Sequence, residues 1–381
     1  MSGRSVVHLT TSDMAVRYLL LDQLRYLQTR GYEVSAISAD GPHATAVRAA
    51  GIPVRAVRLT RRISPIEDAI AFVQIVRLLR RLRPDLVHTH TPKASLLGQW
   101  AASLAGVRHR VHTVHGLYFP ARMRPGRRWF YAWLERLQMM PAHLVLSQNS
   151  EDVETARRER LCDPARIRFL GNGIDLERFH PRNRMTRDGT REALGIASTQ
   201  LVVGMVGRLV REKGYLELFE AAAAVRDALP GRVTFVVVGG AEPGKADALT
   251  DADVAGWALG DALRLLGHRD DLPALVAAMD LLVLPSHREG FPRVLMEAAA
   301  TGLPTVATDI RGCREAVVDG ATGILVPPRD PTSLAAAILG LLRDASLRDR
   351  LGGAARQLAE ERFDQRQVFE RVATAYADLG V

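Results

Sequence analysis

With 381 residues the chain is too long for one ordinary hydrophobic core, and its length favours two domains or three. A composition 47% hydrophobic and 24% charged is that of a soluble globular protein, and two distant cysteines, Cys162 and Cys313, are too few for a secreted disulfide framework, so a reducing compartment is expected. The 51 lysines and arginines, nearly all arginine, exceed the 42 acids to give +9, a balance that attracts nucleic acid, phospholipid or phosphorylated substrates but that an arginine-favouring codon bias explains equally well.

The opening stretch MSGRSVVHLTTSDMAVRYLL lacks the cationic region, apolar run and cleavage site of a signal peptide, and none is expected. Strands are predicted at 6–10 (VVHLT), 33–38 (EVSAIS), 54–59 (VRAVRL), 86–90 (LVHTH), 111–115 (VHTVH), 143–148 (HLVLSQ) and 167–172 (IRFLGN). Helical periodicity fills the gaps, as over 13–30 before Gly31 and 66–83 before Pro84. Near-continuous apolar strands separated by helices predict a parallel sheet covered on both faces, a doubly wound α/β domain. From Arg182 to Ser198 the chain is polar, lacks a convincing strand and reads as a linker. The alternation resumes at 201–209 (LVVGMVGRL) and runs through VTFVVVGG, LRLLGH, LLVLPS, TVATDI and GILVPP, which predicts a second doubly wound domain. Helical stretches at 346–362 and 365–379 close the chain. The most apolar window, 272–285, is shorter than a membrane span and contains Asp280.

Open parallel sheets bind ligands beyond the carboxyl ends of their strands, so the residues just after strands are the candidates, and a cleft between the domains is the expected site. After 201–209 the stretch GRLVREKG puts Arg208 and Lys213 at a strand end, with Gly214 opening the next helix. Two cations and a helix N-terminus suit a diphosphate, two solvated loop charges being the plainer alternative. The spacing is not that of a P-loop. Further on, HREGFPRVLMEAAATG (287–302) follows a strand ending near Ser286. Pro292 is expected in the first turn of the ensuing helix, with Glu289 in the loop and Glu297 on the helix. Gly290 and Phe291 then present backbone amides between the two acids, which bracket a helix end instead of flanking one bond as a hydrolase pair would. A carboxylate accepts two hydrogen bonds from a vicinal diol, so Glu297 suits a ribose and Glu289 a polyhydroxyl group beyond the phosphates, together a nucleotide-sugar. Ordinary helix and loop charges are the alternative.

These motifs, with NGIDLERF (172–179) and DGATGILVPPRDP (319–331), occur in order over most of the chain, and the sequence resembles the retaining glycosyltransferases of family four. The resemblance implies the GT-B architecture, α/β with two doubly wound Rossmann-like domains facing across a cleft. It implies an acceptor-binding domain over 1–183, completed by the closing helix 364–381, and a donor-binding domain over 184–363. It further implies that Arg208 and Lys213 hold the donor diphosphate, that Glu297 binds the ribose, and that Glu289 with the Gly290-Phe291-Pro292 backbone contacts sugar and phosphate. His115, in HTVHG past a central strand, is expected to meet the donor sugar or its distal phosphate, a buried structural histidine being the alternative. Catalysis would then rest on His115, Arg208, Lys213 and Glu289. The loop LGHRDDL (266–272), through His268, is expected to border the base, commonly uracil in this family. Many members carry a Gly-Gly loop after the first strand, whereas TTSDMAV (10–16) has no glycine. Thr11, Ser12 and Asp13 therefore become the candidates for acceptor hydroxyls, joined by His90, although His88 and His90 read equally well as strand-end packing.

No cysteine or carboxylate joins the histidines at metal-ligand spacing, and Asp251-Ala252-Asp253, which resembles an Asp-x-Asp metal motif, falls in a polar helical region and reads as surface charge. Transfer without a metal or other cofactor is expected. HTHTPKASLLGQWAA, HGLYF and RGCREAV (311–317) resemble the subgroup that builds surface polysaccharides and lipid-linked oligosaccharides, whose acceptors are often polyprenyl-diphosphate sugars. RMRPGRRWFYAW (122–133) alternates cations with aromatics and suits either peripheral contact with an anionic membrane surface or an ordinary basic amphipathic helix. The expected location is cytoplasmic, with peripheral contact at the inner membrane face left open. Two rival readings are a sugar-nucleotide 2-epimerase, which needs no acceptor, and a basic nucleic-acid-binding protein, against which stand 6% aromatics and no recognised module.

Overall fold

The structure is a computed structural model and describes residues 4–60, 62, 64–117, 119, 123–241, 245 and 247–381, with the backbone alone at 251. Tyr118 and Arg122, within two of the motifs above, lie outside the described residues. The chain divides into two compact units, one running to Gly171 and resuming at Arg366–Val381, the other spanning Asn172–Gln365.

The first unit holds seven strands: β1 Ser5–Leu9, β2 Glu33–Ser38, β3 Val54–Ala56, β4 Leu86–Thr89, β5 His109–Val114, β6 Leu144–Ser147 and β7 Ile167–Phe169. They pair in parallel in the order β3-β2-β1-β4-β5-β6-β7. The second unit holds β8 Leu201–Val206, β9 Val233–Val238, β10 Leu263–Leu265, β11 Leu281–Leu284, β12 Thr305–Thr308 and β13 Gly323–Val326, in the parallel order β10-β9-β8-β11-β12-β13. Central strands such as β4, β9 and β11 are buried along their whole length, the expected state of a sheet with helices on both faces. Strand order reverses between β1 and β4 in one sheet and between β8 and β11 in the other, and these switch points are where doubly wound sheets bind ligands.

Two local readings are revised. The predicted helix over 13–30 is continuous but carries a π-helical stretch, Val16–Leu20, between Asp13–Ala15 and Leu21–Thr29. The stretch 182–198 is not an open linker, because it forms a 3-10 helix, Pro181–Thr186, and an α-helix, Arg187–Ala193. Its polarity has a buried cause: Arg187 and Arg191 donate to the carboxylate of Asp280 at 2.6 and 2.7 Å, and that same carboxylate accepts from the backbone N–H of Val202 at 2.8 Å.

The boundary between the units also falls earlier than residue 183. Ile174 N–H donates to the Phe363 carbonyl at 2.9 Å and Gln365 N–H to the Ile174 carbonyl at 3.0 Å, which fastens the NGID stretch to the end of the Ala345–Arg362 helix. Past that point, Val368, Val372, Ala375 and Tyr376 of the last helix, Gln365–Asp378, enter the core formed by Val6, Leu86 and Val111. Among the described residues no helix is long and apolar enough to cross a membrane.

Candidate functional site

In the second unit the loops after β8 and β11 lie side by side, as the strand order requires. After β8, a single 3-10 turn, Arg211–Lys213, leads to Gly214, which caps the helix Tyr215–Ala228. Gly214 has φ +78°, and a Cβ there would sit 2.0 Å from the Pro285 carbonyl oxygen, so both the backbone conformation and the close approach of the β11 exit demand glycine. Tyr215 donates its hydroxyl to the Gly207 carbonyl at 2.7 Å and holds the strand exit in place.

The loop after β11 is strapped to this turn. His287 N–H donates to the Glu212 carbonyl at 2.8 Å, Arg288 reaches the Glu212 carboxylate at 3.3 Å, and the His287 ring lies 2.7 Å from Glu217. Burial alone would raise the Glu217 carboxyl, but the His287 hydrogen bond and nearby cations hold it below its usual range. Within this frame Lys213 Nζ meets Glu289 Oε1 at 2.5 Å, and Ser286 Oγ donates to the same oxygen at 2.7 Å. On the other side of the loop, a Cβ on Gly312 would fall 2.7 Å from the carbonyl oxygens of Glu289 and Gly290, so the helix Arg311–Ala316 presses directly on it.

The helix expected after the REGFP turn runs from Arg293 to Ala300, and Pro292 sits at its N-cap instead of in its first turn. Phe291 is buried, with its ring edge-on to Phe363 at 5.8 Å, and its carbonyl accepts from Asn172 at 3.4 Å, so its side chain anchors the turn and only its backbone is available to a ligand. Glu297 is 8% exposed, and among the described residues its carboxylate accepts no hydrogen bond. Burial pushes its carboxyl above the usual range, against the opposing pull of Arg293 and Arg178. Arg208 is exposed just beyond β8, and His268 is exposed just beyond β10, near Asp270. Cys313 is buried close by, and burial with the Glu289 charge pushes its thiol up, which makes it an inert packing group.

Asp253 caps the helix Asp251–Ala255 through a reciprocal bond with Thr250 and pairs with Arg211 at 2.6 Å. That is a structural use for the second acid of the Asp-x-Asp tripeptide.

In the first unit the strand-end residues are brought together differently from expectation. Asp13 is not an open acceptor group: its carboxylate accepts from the backbone N–H groups of Met14, His43 and Ala44 at 2.8, 2.7 and 3.1 Å, and so caps the helix Ala44–Ala49. Thr11 is likewise engaged, through its N–H and hydroxyl, by the hydroxyl of Thr91 at 3.0 and 2.8 Å. Ser12, half-buried, uses its carbonyl to accept from the Thr10 hydroxyl at 2.9 Å. His90 is buried, with one ring nitrogen 3.0 Å from His8 and the other 3.2 Å from His115, so it is a core residue of the strand end and not an open acceptor contact. His115 itself is half-buried beyond β5, with its second ring nitrogen 3.1 Å from Gln148. Burial lowers it to about 4, which leaves the ring neutral near pH 7.

One ring nitrogen each of His8, His88 and His90 lies within 4.8 Å of the others, a spacing a metal could use. Each ring nitrogen of the three already has a protein partner, and among the described residues no carboxylate belongs to the group. His8, Tyr376, Gln148 and Ser286 were not legible as parts of these sites, because Gln148 and Ser286 only close apolar runs, His8 lies within one, and Tyr376 is one residue of the last helix.

Comparison with known proteins bears on what these two strand-end clusters serve. A profile described as "Glycosyl transferases group 1" matches residues 186–358, and one described as "Glycosyltransferase Family 4" matches residues 16–178. An Escherichia coli protein described as UDP-Gal:alpha-D-GlcNAc-diphosphoundecaprenol alpha-1,3-galactosyltransferase is 33% identical over 342 residues, 87% of this chain and 86% of its own. The chain belongs to glycosyltransferase family 4. A Campylobacter jejuni relative, N,N'-diacetylbacillosaminyl-diphospho-undecaprenol alpha-1,3-N-acetylgalactosaminyltransferase, is 26% identical over 97% of both chains. The crystal structure of Anabaena HepE with UDP and glucose superposes with a TM-score of 0.83 over 98% of this glycosyltransferase and 100% of that chain at 24% identity, which shows the shared GT-B fold. Neither the epimerase nor the nucleic-acid-binding reading finds support in these likenesses.

Proposed function

We propose that this glycosyltransferase moves a sugar from a UDP-sugar to a hydroxyl of a lipid-linked or polysaccharide acceptor, with retention of anomeric configuration and without a metal. The observation that carries the reading is Glu297, a buried carboxylate with no hydrogen-bond partner among the described residues, on the helix that begins just after the Lys213–Glu289 pair. A ribose diol satisfies both oxygens of such a carboxylate, and the diphosphate then meets Lys213, Arg208 and the amides around Gly290. As the bond to the sugar breaks, negative charge grows on that diphosphate, and fixed positive groups stabilise it without a metal ion. Retention follows if the acceptor hydroxyl attacks from the side of the departing diphosphate, which takes up its proton. His115 contacts the donor sugar and His268 borders the base.

The UDP-sugar and the lipid-linked acceptor are supported by the activities in the names of the Escherichia coli and Campylobacter jejuni relatives. A peripheral membrane position is supported by the helix Pro125–Met139, where Trp129 is 69% exposed beside exposed Phe130, Trp133 and Arg127.

The first test is thermal unfolding with UDP, GDP, ADP and dTDP in turn, beside the Glu297→Ala variant. A nucleotide at a hundredfold its Kd stabilises by about 2.7 kcal/mol. UDP should raise the midpoint in the parent and not in the variant, and no response to any nucleotide would remove the donor site. Retention and metal independence are then read from the anomeric signal of the product and from turnover in chelator.

A further inference from the structure

Side chains of the first unit form one unbranched run of hydrogen bonds: Thr113 to His88 at 2.6 Å, His88 to Tyr376 at 2.6 Å, Tyr376 to His8 at 3.3 Å, His8 to His90 at 3.0 Å, His90 to His115 at 3.2 Å, and His115 to Gln148 at 3.1 Å. Tyr376 alone comes from outside the strands and strand-end loops. It is fully buried, carried in by the Gln365–Asp378 helix, and it joins the two halves of the run.

A neutral imidazole has one N–H and one acceptor nitrogen, and a hydroxyl has one proton to give, so such a run has a direction. Gln148 Oε1 can only accept, so His115 must donate from Nδ1, and its Nε2 accepts from His90 Nδ1–H. His90 Nε2 accepts in turn from His8 Nδ1–H, and His8 Nε2 accepts from the Tyr376 hydroxyl. The Tyr376 oxygen accepts from His88 Nδ1–H, and His88 Nε2 accepts from the Thr113 hydroxyl. Every link then holds one proton and no ring is charged. Burial agrees, since it lowers His8 to about 3 and, with the neighbouring histidines, takes His88 and His90 well below their usual value.

We infer that Gln148 is a positioning residue that holds His115 in its Nδ1–H tautomer, leaving Nε2 as the accepting nitrogen, and that the run through His90 and His8 to the Tyr376 hydroxyl takes its direction from that end. The consequence for transfer rests on the proposed contact between His115 and the donor sugar. A sugar hydroxyl that takes His90's place at Nε2 donates its proton there, and a group that can only accept is refused. Without the Gln148 carbonyl, nothing accepts a proton from His115 Nδ1, and the direction imposed on His115, His90 and His8 is lost.

The test is long-range proton–nitrogen NMR on the full-length, ligand-free protein with isotope-labelled histidine, beside Gln148→Leu and, should that variant fold poorly, Gln148→Met, each of which removes the acceptor from His115 Nδ1. The parent should show His8, His88, His90 and His115 all as Nδ1–H, the form that free neutral histidine favours less. Either variant should turn His115 into a mixture of tautomers and lower kcat by up to a hundredfold with UDP binding unchanged. An Nε2–H signal for His115 in the parent, with Gln148 turned to donate, overturns the proposal, as do tautomers unchanged in the variants. A released tautomer with unaltered kcat overturns the role in transfer. A parent that neither binds UDP nor transfers sugar is a separate failure, that of the donor reading, and leaves the tautomer result standing.

Discussion

At the ends of β4 and β5 in the first unit, both ring nitrogens of His88, His90 and His115 are occupied by protein partners, and the Asp13 carboxylate serves three backbone N–H groups. At the ends of β8 and β11 in the second unit, Lys213 and Glu289 hold each other with help from Ser286, while Glu297 is buried with no hydrogen bond among the described residues. Each cluster lies at strand ends beside the switch point of its own sheet, β1/β4 in the first and β8/β11 in the second. What separates them is spare hydrogen-bonding capacity. A saturated cluster fixes geometry, and removing a member costs stability because its partners are stranded. An unsaturated cluster keeps its capacity for a ligand, and the folded chain carries the cost of that reserve in the ligand's absence.

The sharpest way to break this comparison is at Lys213. Its side chain is 18% exposed and its Glu289 partner 11%, so neither is an idle surface charge. Replacing Lys213 by methionine keeps the apolar stem and removes the cation proposed to face the leaving diphosphate. Loss of one such charge-stabilising group commonly lowers kcat by roughly a hundredfold to a thousandfold. Steady-state rates should fall by that order while the ligand-free unfolding midpoint moves little, because Glu289 keeps Ser286 and can reach water. A variant with near-parental kcat would make the pair a structural strap, like the Arg288–Glu212 contact beside it.

Asp13 tests the saturated side. Changing it to alanine strands the N–H groups of His43 and Ala44, and lost caps of this kind cost about 1 kcal/mol, up to about 2. The expectation is a lower unfolding midpoint with KM for the acceptor unchanged once the protein is folded. A selective rise in acceptor KM at unaltered stability would return Asp13 to the acceptor site that its position after β1 first suggested.

The order of strands and helices was legible because buried parallel strands have to be continuously apolar, so LLVLPS and VTFVVVGG announce themselves. The loops of the proposed donor site stood out too, since GRLVREKG and the two glutamates eight residues apart combine charge with glycine at strand ends. What local pattern could not show was whether a polar side chain already had a partner. Asp13 and His90 looked like open acceptor groups, yet their partners, His43 and His8, lie far off in sequence and meet them only through the fold. The helix over 187–193 was hidden for the same reason, because its arginines are polar in sequence but turn inward to one buried acid, Asp280.

Glu297 carries the smallest expected change and the one with opposite signs in the two measurements. Its carboxyl is raised by burial, so the native state holds the proton more tightly than the unfolded chain does. A carboxyl shifted upward contributes stability that is fully present below its unfolded value and is lost as pH rises through the raised native value. Above the ordinary glutamate range the ligand-free protein therefore bears the cost of an unpartnered acid whose charged form burial disfavours, which Glu297→Gln removes without changing shape. The variant should unfold at a slightly higher temperature than the parent near neutrality, and the difference should shrink as pH is lowered toward the ordinary glutamate range. Nucleotide binding should move the other way, because an amide offers one accepting oxygen where the carboxylate offers two, a loss of roughly 0.5–1.5 kcal/mol. Thermal scans over a pH series, with and without UDP, read both effects on one sample. A variant that lost stability and kept its UDP response would mean that Glu297 is satisfied within the fold, which would erase the contrast between the two strand-end clusters.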